Sequence, residues 1–428
     1  MVKLVLCLIL FVGAGTVRSE ISEDILFDEI PVELNSTDEI SPLNTCTISI
    51  NAGGLPEPQP LLIHPNTLNF VNPNRNGIVT VPANQQIELF CSGSFVAPFT
   101  NTRTLFATCQ SGTSWLVNGQ SRVFNTLACT GQVFHTARRT GQRCFDGSTH
   151  SEVGFSVAAN RFLVTHNICH DEVREQTRYS YYMQTPSNSG FQRSFPRPSF
   201  MTGDYFGGRN VNNLYTQVVQ RQTLARILGQ QRVDEMYAIH TDAFLARGHL
   251  MANADNIYGS QMRASFYFIN AQPQWQVFNG GNWERVEAGV RNFIADRNLE
   301  CEIYTGVHGV LSLRDQNGIF RELFLDFDSQ GRGLIPVPAL YYKVVLHRPS
   351  NRGIVFIGVN NPHATSADIV NRHTICTDVS HFVDWISWTT PVGRTSILRG
   401  FSYMCTVADF RRVVTNLPPN VTAGSLLF

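Results

Sequence analysis

Lysine is almost missing from this chain: Lys3 and Lys343 are the only two among its 33 basic residues. Positive charge is therefore carried by arginine, whose planar fork binds phosphate oxygens two at a time, although biased residue usage accounts for the ratio equally well. C-x-x-C pairs are absent, which argues for disulfides rather than for bound zinc. An H-E-x-x-H motif and any tight His/Cys cluster are also missing, which argues against a zinc hydrolase. Beyond the first residues, no run approaches the roughly 20 apolar residues of a membrane helix. No repeat or low-complexity segment occurs. Hydrophobic content of 43% against 15% charged over 428 residues leaves a folded, soluble chain of two domains, or one large domain with an elaborated N-terminal part.

The chain opens with Met-Val-Lys, an apolar run from Leu4 to Val12 and small residues up to Ser19. That order predicts a secretory signal peptide over 1–19, and hence an extracellular product with no membrane partner. An acidic segment over 20–44 follows. Glu20, Glu23, Asp24, Asp28, Glu29, Glu33, Asp38 and Glu39 lie in it without one basic residue, as in a removable propeptide that shields a basic cleft or a solvated tail. Setting aside these eight acids and the leader's Lys3 and Arg18 leaves 31 basic and 25 acidic residues, a body of net charge +6 inside a chain of formal charge zero. Cys7 belongs to the leader. The other nine cysteines, at 46, 91, 109, 129, 144, 169, 301, 376 and 405, scatter as disulfide partners in an oxidising compartment do. Nine is odd, so at least one thiol is free or pairs with another chain. Asn35-Ser-Thr and Asn420-Val-Thr are glycosylation sequons of a secretory-route protein.

Short β-type runs broken by Gly, Pro and Asn fill the stretch to Cys144, among them Gly77-Ile-Val-Thr-Val-Pro, Gln86-Ile-Glu-Leu-Phe-Cys91 and Arg103-Thr-Leu-Phe-Ala-Thr-Cys109. They predict a small antiparallel, disulfide-stapled module over 45–148, followed by a second domain over 149–428. Strands continue at Arg161–His166 and Arg178–Tyr182, and Thr216 to Leu228 reads as a helix with Val218, Val219, Leu224 and Leu228 as its apolar members. The clearest helix runs from Asn282 to Asn298, with Trp283, Val286, Val290, Phe293 and Ile294 at spacings of three and four behind Gly280-Gly281. Two apolar strands follow, Ile335–Leu346 and Gly353–Val359. Strands, then a helix, then strands make an α+β fold with the helix on one face of a sheet.

Ala246-Arg247-Gly248-His249, then Asn270, then Asn279-Gly-Gly-Asn-Trp-Glu-Arg-Val-Glu287 gather the residue types that cut a phosphodiester with one hard metal ion. His249 suits a general base because an imidazole accepts a proton near neutral pH. Asn279 suits a metal ligand, since Mg²⁺ prefers hard oxygens and keeps most of its waters. Arg247 supplies permanent charge to a phosphate oxygen. Glu287 is eight residues beyond Asn279 and meets it at one site only if Asn279 sits in the loop entering the helix, where the glutamate holds a metal-bound water. Glu284 is rotated about 140° away, and Trp283 belongs to the buried stripe. Each residue also has a plain reading: a hydrogen-bonded structural histidine, a capping asparagine, a solvated glutamate.

Arg247-Gly248-His249, Phe266-Tyr-Phe-Ile-Asn270-Ala-Gln-Pro-Gln274 and Phe278-Asn279-Gly-Gly-Asn-Trp283 with Glu287 resemble the DNA/RNA non-specific endonuclease family of the ββα-metal superfamily. The 21 residues from His249 to Asn270 and nine more to Asn279 are similar to that family's spacing. Val81-Pro, Cys91-Ser-Gly-Ser, Arg197-Pro-Ser-Phe, Pro336-Val-Pro, Tyr342-Lys-Val-Val, Gly358-Val-Asn-Asn-Pro-His363 and Gly400-Phe-Ser-Tyr-Met-Cys405 extend the resemblance to secreted arthropod nucleases, including duplex-preferring ones, from about Cys46 onward. The resemblance implies a ββα-metal core, a central antiparallel sheet with an active-site helix, hydrolysing DNA and RNA with little sequence preference and leaving 5′-phosphates. It assigns His249 as base, Asn279 as ligand of Mg²⁺ or Mn²⁺, Glu287 as holder of a metal-bound water, and Arg247 and Arg197 as phosphate contacts. Arg193 competes with Arg197, and Asn270 orients the site. Two departures stand out: Ala246 replaces the family's usual Asp, and Cys301 has no place in the family's cysteine pattern, which marks it as the free or unusual thiol. Where relatives carry further cysteines this chain has Ser380 and Met404, which implies that Cys376 and Cys405 bridge each other. A rival reading, resting on Ala246, is an extracellular nucleic-acid-binding or uptake protein of weak or no activity on the same fold.

Overall fold

A nine-stranded sheet carries the molecule in the computed structural model, which describes residues 45–51, 53–388 and 393–428. The expected signal peptide, the acidic segment and the Asn35 sequon lie outside the described residues. Eight strands run antiparallel: β1 Thr136–Arg143, β2 Thr149–Ala158, β3 Arg161–Asp171, β4 Gln176–Gln184, β7 Cys301–Val310, β8 Pro338–His347, β9 Arg352–Val359 and β10 Ser402–Cys405. Their order across the sheet is β10-β9-β8-β7-β4-β3-β2-β1, and a short strand at Ser425–Leu426 pairs parallel to β9. In the central strands, every residue of β8 except Ala339 and His347 and every residue of β9 except Arg352 is buried, as in strands covered on both faces.

Between β4 and β7 the chain leaves the sheet. It forms helix α1 Gln217–Leu228, the hairpin strand β5 Leu245–His249, the short helix α2 Gly259–Ala264, the return strand β6 Ala271–Trp275 and helix α3 Glu284–Asp296. Strand, strand, helix is thus the order of the region holding the expected chemistry. Helix α3 buries Val286, Val290, Phe293 and Ile294, as the three-and-four spacing predicts, and each fully covered side chain contributes roughly 1.5–3 kcal/mol. Trp283 is buried and meets Tyr341 of β8 at 5.6 Å between rings, while Phe293 stacks on Trp385 at 4.4 Å. The helix begins two residues later than its apolar spacing predicts, because Asn279–Trp283 form a π-type turn broken at Gly281. A Cβ on Gly281 would stand 2.6 Å from the Arg399 carbonyl oxygen, so only glycine lets this turn sit on the 399–400 loop. In α1, Leu224 and Leu228 are buried as expected, but Val218 is exposed.

One predicted strand is two. Ile335–Leu346 breaks at Val337 into Gly333–Pro336 and β8, with Ile335 at a positive φ of 50°. Pro336 and Pro338 flank the break, and neither has an N–H to carry a ladder through.

The N-terminal part holds a five-stranded antiparallel sheet from Leu61–Ile63 to Gln120–Val123 and a separate pair, Thr45–Ser49 with Ile78–Pro82. Cys46–Cys109 and Cys91–Cys129 staple it. Residue 148, the expected domain junction, lies in the turn between β1 and β2, neighbours in the central sheet. Cys144–Cys169 and Cys376–Cys405 are the other two disulfides among the described residues. Cys301 is free and buried, and burial pushes its thiol up to about 12.

Candidate active site

Hairpin β5–β6 pairs His249 with Ala271, Arg247 with Pro273 and Leu245 with Trp275. Residues two apart on a strand share a face, so Arg247 and His249 project together. Aromatic rings form the wall they meet. Phe200 lies 5.0 Å from the His249 ring and Phe266 4.8 Å, while the Arg247 guanidinium stands over Tyr215 at 5.2 Å, Phe268 at 5.8 Å and Phe200 at 5.9 Å. Gly248 between them is fixed sterically: a Cβ there would sit 2.8 Å from Tyr341 Oη. That hydroxyl donates to the Gln272 carbonyl at 2.9 Å. Because Tyr341 also touches Phe278 and Trp283, which flank Asn279, one β8 side chain underlies both the hairpin and the entrance to α3.

Burial, then the charge of Arg197, lowers the His249 pKa to about 3. The imidazole is neutral at physiological pH, and its buried Nε2 carries no hydrogen bond among the described residues. Arg197 is exposed and its charge acts on His249; Arg193, also exposed, gives its backbone N–H to Asn51 Oδ1. Arg247 donates to the Asn212 carbonyl at 3.2 Å. No carboxylate pairs with it among the described residues; Ala246 leaves none on the strand. Desolvation lowers its pKa from the usual arginine value.

Asn270 is fully buried and spends its amide on the chain. Its Oδ1 accepts from Met251 N at 2.9 Å, and its Nδ2 donates to the Met251 and Ser265 carbonyls, both at 3.0 Å. It therefore clamps the exit of β5 just beyond His249. Asn279 is half-buried in the turn before α3, donates Nδ2 to Gln276 Oε1 at 3.0 Å, and leaves Oδ1 without a protein partner among the described residues. Asn279 itself keeps helical φ/ψ, at the end of the short Gln276–Phe278 turn, and the chain breaks at Gly281 rather than in an open loop before the helix. An amide oxygen with no other bond fits a hard ion that keeps most of its waters. The other metal-like group, Cys144, Asp146 and Cys169, has its two cysteines tied in a disulfide and offers no thiolate.

Glu287 is half-buried on α3 and makes no hydrogen bond among the described residues. Desolvation raises its pKa to about 8, against the pull of Lys343 and Arg291 and with the push of Asp255 and Glu284. Glu284 is exposed and pairs with Arg285 at 3.3 Å, as its rotation around the helix implies.

Two groups of residues near the site carried no signal in the sequence. Asp255 is fully buried and accepts from Tyr182 Oη at 2.7 Å, Arg291 Nη1 at 2.6 Å, Gln184 Nε2 at 3.1 Å and Lys343 Nζ at 3.3 Å. Burial alone would push its carboxyl up, but Lys343, Arg291 and Tyr182 outweigh burial and hold it below the ordinary value. His166 is buried on β3, shares a 2.9 Å hydrogen bond between Nδ1 and Thr165 Oγ1, and has an unpartnered Nε2. Burial, then His249 and His135, lower it to about 3, so an uncharged histidine stands behind His249. Only the rarity of lysine could have pointed to the first group, and nothing marks the second.

An uncharged histidine and two arginines thus lie on and beside the hairpin, and an amide oxygen free of protein partners among the described residues lies in the turn that enters α3. Over residues 146–410 the chain matches the DNA/RNA non-specific endonuclease family and belongs to it. It is 29% identical over 224 residues to a salivary endonuclease of Lutzomyia longipalpis, and this match covers 52% of each chain, so the chain spans about half the length of that relative. Salivary proteins Tsal1 and Tsal2A of Glossina morsitans morsitans are similar over more of the length: 24% identity over 80% of this chain and 87% of Tsal1, and 21% over 82% and 90% for Tsal2A. Among solved structures, an EndoG/EndoGI inhibitor complex aligns at a TM-score of 0.37 and 13% identity, over 61% of this chain and 87% of that one.

Proposed function

We propose that this protein is a secreted, metal-dependent endonuclease that hydrolyses DNA and RNA, duplexes included, with little sequence preference and leaves 5′-phosphates. The observation that carries the reading is the pairing of an uncharged His249, its Nε2 free of hydrogen bonds, with the charge of Arg197, in a chain of this family.

Arg247 and Arg197 hold the phosphodiester. Arg247 rests on aromatic faces with no carboxylate beside it among the described residues, which leaves its charge for a phosphate. The negative charge of a bound phosphate offsets Arg197 and raises the basicity of His249, which takes a proton from the attacking water. Asn279 Oδ1 would hold the ion, Mg²⁺ or Mn²⁺, and Glu287 a water bound to it; when bound, that ion relieves the negative charge on the transferring phosphate and the leaving 3′ oxygen. Asn270 keeps the end of β5 in place. Contacts to phosphate rather than base edges support broad substrate choice and binding that weakens with salt.

Four disulfides support an oxidising, extracellular compartment. The arginine-rich body supports nucleic acid as the partner. The test is a panel of matched single- and double-stranded DNA and RNA, cut with Mg²⁺, with Mn²⁺ and with chelator, with product ends labelled. Metal-dependent internal cleavage with 5′-phosphate ends is expected. Cleavage that persists in chelator, or ends carrying 3′-phosphate, would rule out this mechanism.

A further inference from the structure

In the described residues this protein uses one lysine, and it is fully buried. Lys343 Nζ donates to Tyr182 Oη at 2.7 Å and to Asp255 Oδ2 at 3.3 Å. Tyr182 Oη donates a hydrogen bond to the same carboxylate oxygen, and Arg291 Nη1 donates to the other one. Arg291 is one turn beyond Glu287 on α3, and residues four apart share a helix face. Two cations thus converge on one buried aspartate, which leaves one positive charge in excess. A buried charge without a counter-charge is costly. The charged and titratable groups that act on Glu287 are Lys343 on β8, Asp255 in the loop after β5, Arg291 and Glu284 on α3, and the hydroxyls of Tyr182 on β4 and Tyr341 on β8. Glu287 adds the balancing negative charge once it ionises, which burial delays to about pH 8.

We infer that Lys343 is a positioning residue for Glu287: the Lys343–Asp255–Arg291 group anchors the first turns of α3 and supplies the counter-charge that favours the carboxylate form in which Glu287 holds a water. An ammonium suits this place because it is compact and bonds two oxygens at an angle, whereas a guanidinium needs a planar partner. The inference rests on the proposed role of Glu287, and one arm of its test does not use activity.

Lysine-selective ¹³C labelling of the full chain carrying Lys3→Arg gives a single lysine signal, from Lys343. In metal-free protein its Cε shift is expected to move with an inflection near the Glu287 pKa of about 8 and to lose that inflection in Glu287→Gln. The same titration curve in both proteins overturns the inference. In the activity arm, Lys343→Met fills the same volume without charge. Its acid limb of kcat against pH should move up by about one unit, which is about tenfold lower kcat below the limb. In the Glu287→Gln background the same change should cost less than about twofold, since coupled residues are non-additive. An equal loss in both backgrounds means Lys343 acts elsewhere. If Lys343→Met does not fold, the labelled wild type and Glu287→Gln decide alone. If the wild type cuts no nucleic acid but the coupling is seen, the functional reading fails and the pairing stands.

Discussion

Replacing Glu287 by glutamine should stabilise the metal-free protein, and increasingly so as pH rises. In the folded chain the carboxyl titrates at about 8 because burial outweighs Lys343 and Arg291; in an unfolded chain it titrates at about 4.3. Below the unfolded value both states hold the proton and the residue contributes nothing. Between the two values the unfolded chain has released its proton and the folded chain has not, so stability falls as pH rises, and the loss is complete above pH 8. Taken at face value, the difference of about 3.7 units is worth about 5 kcal/mol. Partial exposure of the side chain admits water, and a working figure is about 2–3 kcal/mol. Glutamine has almost the same shape and no charge, and no protein hydrogen bond is lost, since Glu287 makes none among the described residues. Urea unfolding in chelator at pH 5, 7 and 9 should show Glu287→Gln pulling ahead of wild type from the first to the last. A stability difference that is flat over that range would refute the buried-carboxylate account.

Removing Arg197 should raise the His249 pKa, because its charge opposes protonation; the imidazole C2–H signal of Arg197→Ala should titrate at higher pH than in wild type, and no change would place Arg197 away from the base. Gly248→Ala should destabilise the fold by about 1–3 kcal/mol, since its Cβ would stand 2.8 Å from Tyr341 Oη, a loss readable in urea midpoints; an unchanged midpoint would show that the hairpin has room there. The Cys301 thiol, buried and pushed up to about 12, should resist a thiol reagent in native protein and react with one equivalent once unfolded.

Strands and α3 were legible because their signal is local. Alternation in the N-terminal runs and the three-and-four stripe from Trp283 to Ile294 are direct consequences of burying one face. Where backbone chemistry intervenes, periodicity misleads: Pro336 and Pro338 split an apolar run that reads as one strand, and Gly281 delays the helix. Arg247, His249, Asn270 and Asn279 were legible as a spaced motif. The histidine behind His249 and the aspartate beneath α3 were not, because their neighbours come from β3, β4 and β8, far apart in the chain. His166 and His249 are 83 positions apart, and nothing in either segment announces the other. Arg291 falls on the apolar side of α3, where spacing alone predicts a hydrophobic residue; its burial is explained by Asp255 and by the Phe191 ring its guanidinium stands over.

The central claim is that His249 drives metal-dependent cleavage of nucleic acid. Initial rates of wild type and His249→Ala on plasmid DNA and on double-stranded RNA, with Mg²⁺ and with chelator, test it most directly. The account predicts that wild type with Mg²⁺ degrades both, and that the variant loses at least about 10²-fold, the lower end of what a general base contributes, while keeping its folded midpoint. Equal rates for the two proteins in Mg²⁺, or a wild type no faster with Mg²⁺ than with chelator, would contradict it.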